Sequence, residues 1–371
     1  MERLFGAALV MALARLGSLN ALEQTAQRSY WLKWIGGYLT SADTLGRGFA
    51  QIECQSIRKM VKQAYNRLKR NKRLKPMRAG LIALIIDGHE SHCSRLRSCV
   101  GCLERRLQTR HGVVKENYHR HVMASLLCAG ICLPLDMEPQ RPGEDEVTCA
   151  MRLLERILKE YPRAFDLILA DGLYVQGRFF KLAKKHGKDV IAVLKDQRRD
   201  LLKDAQGLFR QEKPTVYESK NLKKECWDIG HFTSWPQVGC EVRVVCSRET
   251  KTVKRQKTKE TEAKVSEWVW VATISQNKLG THDLIKFGHG RWRIENNGFN
   301  ELVNEWHADH VYCHDPNAIE AFGLLTMLAY TVFHAFIDGN LKPVVRQKHS
   351  KRHWAQMITA EIYARVNFIP P

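Results

Sequence analysis

The sequence predicts an α/β fold: a mixed-sheet core with a β-rich insertion, preceded by a helical N-terminal region. Three observations predict it. Apolar residues recur at spacings of three and four up to about residue 78; short, wholly apolar runs then alternate with amphipathic stretches; and a Trp-rich block of short strands fills residues 196–277. A chain of 371 residues, 44% of them hydrophobic, can bury a large core. The expected units are 1–78 (helical, basic), 79–195 (first part of the core), 196–277 (insertion), 278–340 (second part of the core) and 341–371 (basic C-terminal segment).

Met1-Glu2-Arg3 followed by the apolar run Leu4 to Ala14 imitates a secretion signal, but it reads as a helix. In "SADT", Ser41 or Asp43 is placed to cap the next helical segment. That region ends in a basic run, in which Lys69, Arg70, Lys72, Arg73 and Lys75 either contact phosphates or form a solvated face beside Pro76.

The order then changes. "LIALII", Leu81 to Ile86, reads as a buried strand ending at Asp87-Gly88. A second strand covers Tyr118 to Cys128, and a third covers Ile131 to Met137 after the turn Ala129-Gly130. A helix near Asp145 to Glu160, the strand "FDLILA" ending at Asp171-Gly172, a helix from Gln176 to His186 and the strand "DVIAVLK" follow. Strand, strand, strand, helix, strand, helix, strand is the ribonuclease H-like order, in which the first and fourth strands lie side by side and bring their terminal acids together.

In the insertion, strands are expected around Tyr217, Trp227, Val242 to Val245 and Trp268 to Ala272, with "ETKTVKRQKTKETEAK" as a mobile hairpin or loop. A helix from Arg291 to Trp306 places Glu295 one turn before Phe299, on the face shared with Leu302 and Trp306. "AIEAFGLLTMLAYTVFHAF" reads as an apolar helix against the sheet. No later stretch approaches the roughly 18 uninterrupted apolar residues of a membrane span.

A formal charge of +20 favours a polyanionic partner, nucleic acid first, over a ribosomal or membrane-surface role. Eleven scattered cysteines do not read as a secreted disulfide framework, so a cytoplasmic, nucleoid-associated protein is expected. Breaking a phosphodiester at neutral pH needs an activated hydroxyl and relief of charge on the leaving oxygen, which paired divalent ions supply. Mg²⁺ or Mn²⁺ takes carboxylate oxygens from rigid elements, and Asp87, Asp171 and Glu295 are the candidates.

Three blocks carry a family resemblance. "IIDGHE", "LADGLY" and "GRWRIENNGFNELVNEWHADHVYCHDPNA" resemble the first-aspartate, second-aspartate and glutamate motifs of insertion-sequence transposases of the DDE superfamily, and "SADTLGRGF" with "YNRLKRNK" is similar to their N-terminal region. The resemblance runs from about residue 18 to 335. It implies a ribonuclease H-like fold, nicking at the ends of a DNA element, and strand transfer by a 3′-hydroxyl. Asp87, Asp171 and Glu295 would be the catalytic triad, with double-stranded DNA (terminal inverted repeats and target) as partner and a dimer formed on it.

Many relatives carry Tyr three residues before the motif's Arg and Lys seven after its Glu, where Gly288 and Leu302 stand here. Terminal-phosphate binding would then fall to Arg291 or Arg293. Some relatives hold a flipped base on a Trp of the insertion, for which Trp227, Trp235, Trp268 and Trp270 are candidates beside their ordinary role in core packing.

"HESHCSRLRSCVGC" places Cys99 and Cys102 at the C-x-x-C spacing that lets two thiolates share a zinc ion. Cys93 and His119 are the first candidates to complete such a structural Zn²⁺ site; His121, His89, His92 and His111 compete, and buried free cysteines are the alternative. In "HADHVYCH", the resemblance favours hydrogen bonding or packing near Glu295 for His307, His310, Cys313 and His314 over a second metal. Besides the enzyme, the sequence allows a catalytically silent or domesticated transposase that only binds element ends. A compact resolvase-like nuclease fits less well, because of the insertion before Glu295.

Overall fold

Apolar side chains at both odd and even positions of a strand require cover on both faces of the sheet, and this requirement sets the architecture. The structure is a computed structural model that describes residues 1–25, 30–195, 199–219, 221–254, 261–293 and 300–363.

The N-terminal region is helical, with α1 (Glu2–Leu13), α2 (Leu19–Thr25), α3 (Ala42–Gln51) and α4 (Cys54–Arg70). Of the two candidate caps, Ser41 takes the role: its Oγ accepts the Thr44 amide of α3 at 3.3 Å. The apolar run near the N-terminus is α1, whose Ala7, Ala8 and Met11 are buried.

The core follows as β1 (Ala83–Ser94), β2 (Leu103–Thr109), β3 (Gly112–Cys128), β4 (Ile131–Pro139), α5 (Glu146–Glu160), β5 (Leu167–Ala170), α6 (Gly177–Lys185) and β6 (Asp189–Val193). Two features differ from expectation. β1 does not stop at Asp87 but continues to Ser94 along β3, with a bulge between Glu90 and Cys93. β2 is an extra strand that pairs with the first half of β3, while β4 pairs with its second half. Neither extension has an apolar run to announce it: polar positions such as His89, Glu90, Glu104, Arg105 and Arg106 interrupt the few apolar ones, and the ladder and ion pairs hold them. Arg105 joins Glu90 and Glu116, and Arg120 joins Glu90 and Glu146.

After β6 come α7 (Asp200–Gln211), β7 (Thr215–Ser219), β8 (Leu222–Phe232), β9 (Val242–Lys254) and β10 (Thr261–Ala272). β10 pairs antiparallel with β6, so these strands continue the central sheet, in the order β2-β3-β1-β5-β6-β10-β9-β8-β7. The polar run expected as a hairpin or loop is largely paired strand, in register from Arg248↔Glu267 to Lys254↔Thr261. The helix α7 was not foreseen. Then follow α8 (Thr281–Arg293), α9 (Asn300–Trp306), α10 (Pro316–Asn340), α11 (Pro343–Lys348) and α12 (Lys351–Tyr363). The helix expected over 291–306 is described only as the end of α8 and as α9; Phe299 lies outside the described residues.

Alternation divides the core in two. Leu84, Ile86, Ile168, Ala170, Val190 and Ala192 face α5 and α6, while Ala83, Ile85, Leu167, Leu169, Ile191 and Val193 face the layer that contains α1, α3, α8 and α10. By length and composition α10 could cross a membrane, contrary to the expectation that no later stretch would come near, but most of it is buried inside the protein. Phe322 of α10 stacks on Phe49 of α3 with centroids 4.1 Å apart.

Candidate active site

The parallel register of β1 and β5 is the geometric origin of the site. Ala83, Leu84 and Ile85 lie opposite Leu167, Ile168 and Leu169. Two positions further on, the same register brings Asp87 beside Asp171, on adjacent strands spaced roughly 4.8 Å apart. Both continue the alternation of Ala83-Ile85 and Leu167-Leu169 toward the α8 side. Asp171 has left the strand and caps a short 3₁₀ turn, accepting the Leu173 amide at 3.3 Å.

Asp87 is in the middle of its strand and engages a cation. Its Oδ2 accepts from Arg291 Nη1 at 2.9 Å, and its Oδ1 accepts from the Gly88 amide at 3.1 Å. Arg291 is 4% exposed, so its guanidinium lies inside the protein against the carboxylate. Glu295 lies outside the described residues, as does the side chain of Arg293.

One acidic residue escaped the sequence reading. Glu146, in the first turn of α5, lies beneath β1 at Gly88, where a Cβ would fall inside its carboxylate. It accepts from the buried Tyr174 hydroxyl at 2.7 Å. Burial, and after it Glu146 with nearby Asp87, holds that phenol protonated well above its usual range. Gly88 therefore lets a helix carboxylate support the aspartate-bearing strand from the opposite face. An acid in a first helical turn is common, and only the packing singles this one out.

The two departures at 288 and 302 have a structural cause. A Cβ at Gly288 would fall inside the indole of Trp270, which is fully buried. Leu302 is 3% exposed in the core. A tyrosine at 288 is therefore blocked by Trp270, and a lysine at 302 would place its charge in an apolar layer.

Among the tryptophans, Trp270 is core and Trp235 packs on Phe180 at 4.9 Å. Trp268 stacks along Trp270 with centroids 6.3 Å apart. Trp227 is half-buried between Phe209 and the Arg248 guanidinium, and its Nε1 donates to the Glu212 carbonyl at 3.0 Å. The basic residues Lys69, Arg70, Lys72 and Arg73 are exposed. They are not at the aspartates: Lys75 meets Ala129 at the β3–β4 turn, and Asp87 lies opposite Met123. That is six residues along the hairpin, roughly 20 Å. A cavity of about 410 Å³ opens at the same remote end and is lined by Arg73, Glu301, His334 and Lys351.

The cysteine-histidine candidates are regrouped. Cys99, Cys102 and His119 come together as expected, but Cys93 is exposed on β1 and the fourth member is His314, from the segment before α10. His121 is buried beside His89, with ring centroids 5.5 Å apart. His307 donates to the Arg15 carbonyl at 3.1 Å, His310 packs on Tyr312 at 4.6 Å, and Cys313 lies against Gly46. Only tertiary folding joins two motifs 195 residues apart.

Parallel central strands, antiparallel neighbours on both sides of them and helices on both faces define a ribonuclease H-like mixed α/β core. Residues 82–332 match the family model described as "Transposase DDE domain", and the chain belongs to that family. The match covers the sheet with its β7–β10 extension and stops before the end of α10. No curated protein matches the chain.

Proposed function

We propose that this transposase-family protein nicks DNA at the ends of an insertion sequence and joins the freed ends to target DNA, using Asp87, Asp171 and Glu295. The β1–β5 register that brings Asp87 beside Asp171 carries the reading. Glu295 enters on its sequence motif alone.

The donor set fits a hard divalent cation, since carboxylate oxygens are the ligands Mg²⁺ and Mn²⁺ prefer. The Arg291 guanidinium on Asp87 indicates that this position takes a positive charge. A bound ion supplies Lewis acidity that lowers the pKa of the attacking hydroxyl and stabilises the leaving oxygen. The chain's own groups do the rest. Asp87 and Asp171 are fixed by the sheet and by their amide hydrogen bonds, so their spacing does not depend on side-chain rearrangement. Arg291 is placed to move from Asp87 to a substrate phosphate when the site fills, and its planar fork suits either partner. Lys69, Arg70, Lys72 and Arg73 would hold DNA that flanks the cleavage point. Two element ends would be brought together by a dimer on DNA, in the cytoplasm.

A second reading is a silent end-binding protein. The buried Arg291–Asp87 pair favours it, because breaking such a pair costs several kcal/mol, about 3–5 when one partner is removed. The test is incubation of purified protein with element-end DNA and Mg²⁺ or Mn²⁺, comparing the native chain with Asp87→Asn, Asp171→Ala and Glu295→Ala. Expected are metal-dependent 3′ nicks, lost by at least about 10²-fold in each variant while gel-shift binding persists. Binding without cleavage in all four proteins would establish the silent reading.

A further inference from the structure

We propose that Cys99, Cys102, His119 and His314 hold one zinc ion that has a structural role, separate from the aspartate site. Four ligand atoms from three distant segments converge. Cys99 and Cys102 come from the loop after β1, His119 from β3, and His314 from the segment that leads into α10.

The distances are those of a coordination shell. Zn–S of about 2.3 Å and Zn–N of about 2.0–2.1 Å in a tetrahedron require edges of about 3.8 Å between sulfurs, 3.5 Å between sulfur and nitrogen and 3.3 Å between nitrogens. Here Cys99 Sγ and Cys102 Sγ are 3.7 Å apart. His119 Nε2 lies 3.5 Å from Cys99 Sγ and 3.4 Å from Cys102 Sγ, and His314 Nε2 lies 3.5 Å from Cys102 Sγ. The two Nε2 atoms are 3.3 Å apart. These five edges agree with the tetrahedron to about 0.1 Å, and all four ligand atoms lie within 4.8 Å of one another. A network of thiol and imidazole hydrogen bonds satisfies its members pairwise and gives no reason for all four atoms to enclose one point.

The surroundings support the same conclusion. The loop from Ser94 to Cys102 is not held by apolar burial, because Leu96 and Val100 are 96% and 90% exposed. Its inward side chain is Cys102, 8% exposed, and the Cys99 amide donates to the Cys102 sulfur at 3.2 Å, a contact that stabilises a thiolate. Gly101 lies so close to Pro316 that a Cβ there would be crowded, so the loop is seated directly on the start of α10. Soft thiolates with imidazoles select zinc over the hard cations that carboxylates take, and four protein ligands leave no open position for substrate, which is the mark of a structural site.

The zinc would staple chain regions on either side of the β7–β10 block. β3 is the strand that pairs with Asp87, and His314 belongs to the segment that follows α9. Metal binding of this kind contributes directly to folding.

The experiment uses the full chain, purified without added zinc and without chelator. Metal analysis is expected to find one zinc per chain, and replacement by Co²⁺ to give the intense red-region bands of a tetrahedral ion with thiolate charge transfer in the near ultraviolet. X-ray absorption at the zinc edge is expected to report two sulfur and two nitrogen neighbours. Cys102→Ser and His314→Ala should lose the metal and unfold at lower temperature, whereas Cys93→Ser and Asp171→Ala should keep it. If the variants do not fold, the native chain's cobalt and absorption spectra still decide. A chain free of zinc, a shell of oxygen and nitrogen only, or a metal content unchanged in Cys102→Ser would overturn the proposal. None of these readouts depends on nicking activity, so the transposition reading stands or falls separately.

Discussion

Gly288 gives the sharpest residue-level test, because two effects of opposite sign act there. Alanine in a helix gains about 1 kcal/mol over glycine. Against that, its Cβ would enter the indole of Trp270, which is fully buried and boxed in by Trp268 and His289. Overpacking of a rigid core costs about 1–3 kcal/mol, so Gly288→Ala should be net destabilising in denaturant unfolding; a gain would mean that Trp270 gives way. Glu249 gives a pH test. Burial opposes its ionisation, but His289 at 2.8 Å and Lys224 at 2.7 Å hold its pKa down at about 2. A depressed carboxylate contributes stability that is present above its unfolded value of about 4.3 and is lost as the pH falls toward the folded value. Glu249→Gln should therefore lower the melting temperature near neutral pH, by an amount that shrinks once the pH drops below about 4. A difference that is constant with pH would assign the effect to packing.

Among the elements, α10 and the β9–β10 ribbon sit at opposite extremes of burial. Phe322 of α10 is 3% exposed and stacks on Phe49, and truncating such a side chain costs about 3–5 kcal/mol. Phe322→Ala should lose about that much in denaturant unfolding, and a loss below about 1 kcal/mol would show that the α3–α10 contact is not part of the stable core. The ribbon beyond the Thr252↔Ala263 pair presents exposed residues on both strands. Replacing residues 253–262 by a tight turn should leave the melting temperature within about 2 °C, since surface changes lie mostly within ±0.5 kcal/mol. The same deletion removes several lysines, so weaker binding to DNA with unchanged folding is the expected pair of results.

For the whole molecule, the charge of +20 makes salt the natural variable. Each phosphate neutralised adds about 0.9 to the negative slope of log affinity against log salt. Lys69, Arg70, Lys72 and Arg73 are exposed at the end of the sheet away from Asp87. Replacing all four by Gln should flatten that slope by up to about 3.6 if they all meet phosphates. An unchanged slope would make them a solvated face, and DNA would then have to enter by another route.

Residue order was enough to place the strands Leu81–Ile86 and "FDLILA", and the apolar helix in the last quarter of the chain, because their burial is written in runs and periodicities. It was also enough to single out Asp87 and Asp171 after matching apolar runs, although Asp87 lies within β1 and only Asp171 follows the end of its strand. The continuation of β1 past Asp87, the strand β2 and the joining of β10 to β6 were not legible. Their paired positions are polar, or their partners are distant, and a ladder between Glu, His and Arg leaves no apolar pattern. The same limit hid Glu146 beneath Gly88, the Arg291–Asp87 pair, and Trp270 in the space that a Tyr at 288 would need. It also led to Cys93 as a zinc ligand, through nearness in sequence, where the fold brings in His314. Periodicity reports which face of one element is buried, and only the tertiary structure decides which distant side chain meets it there.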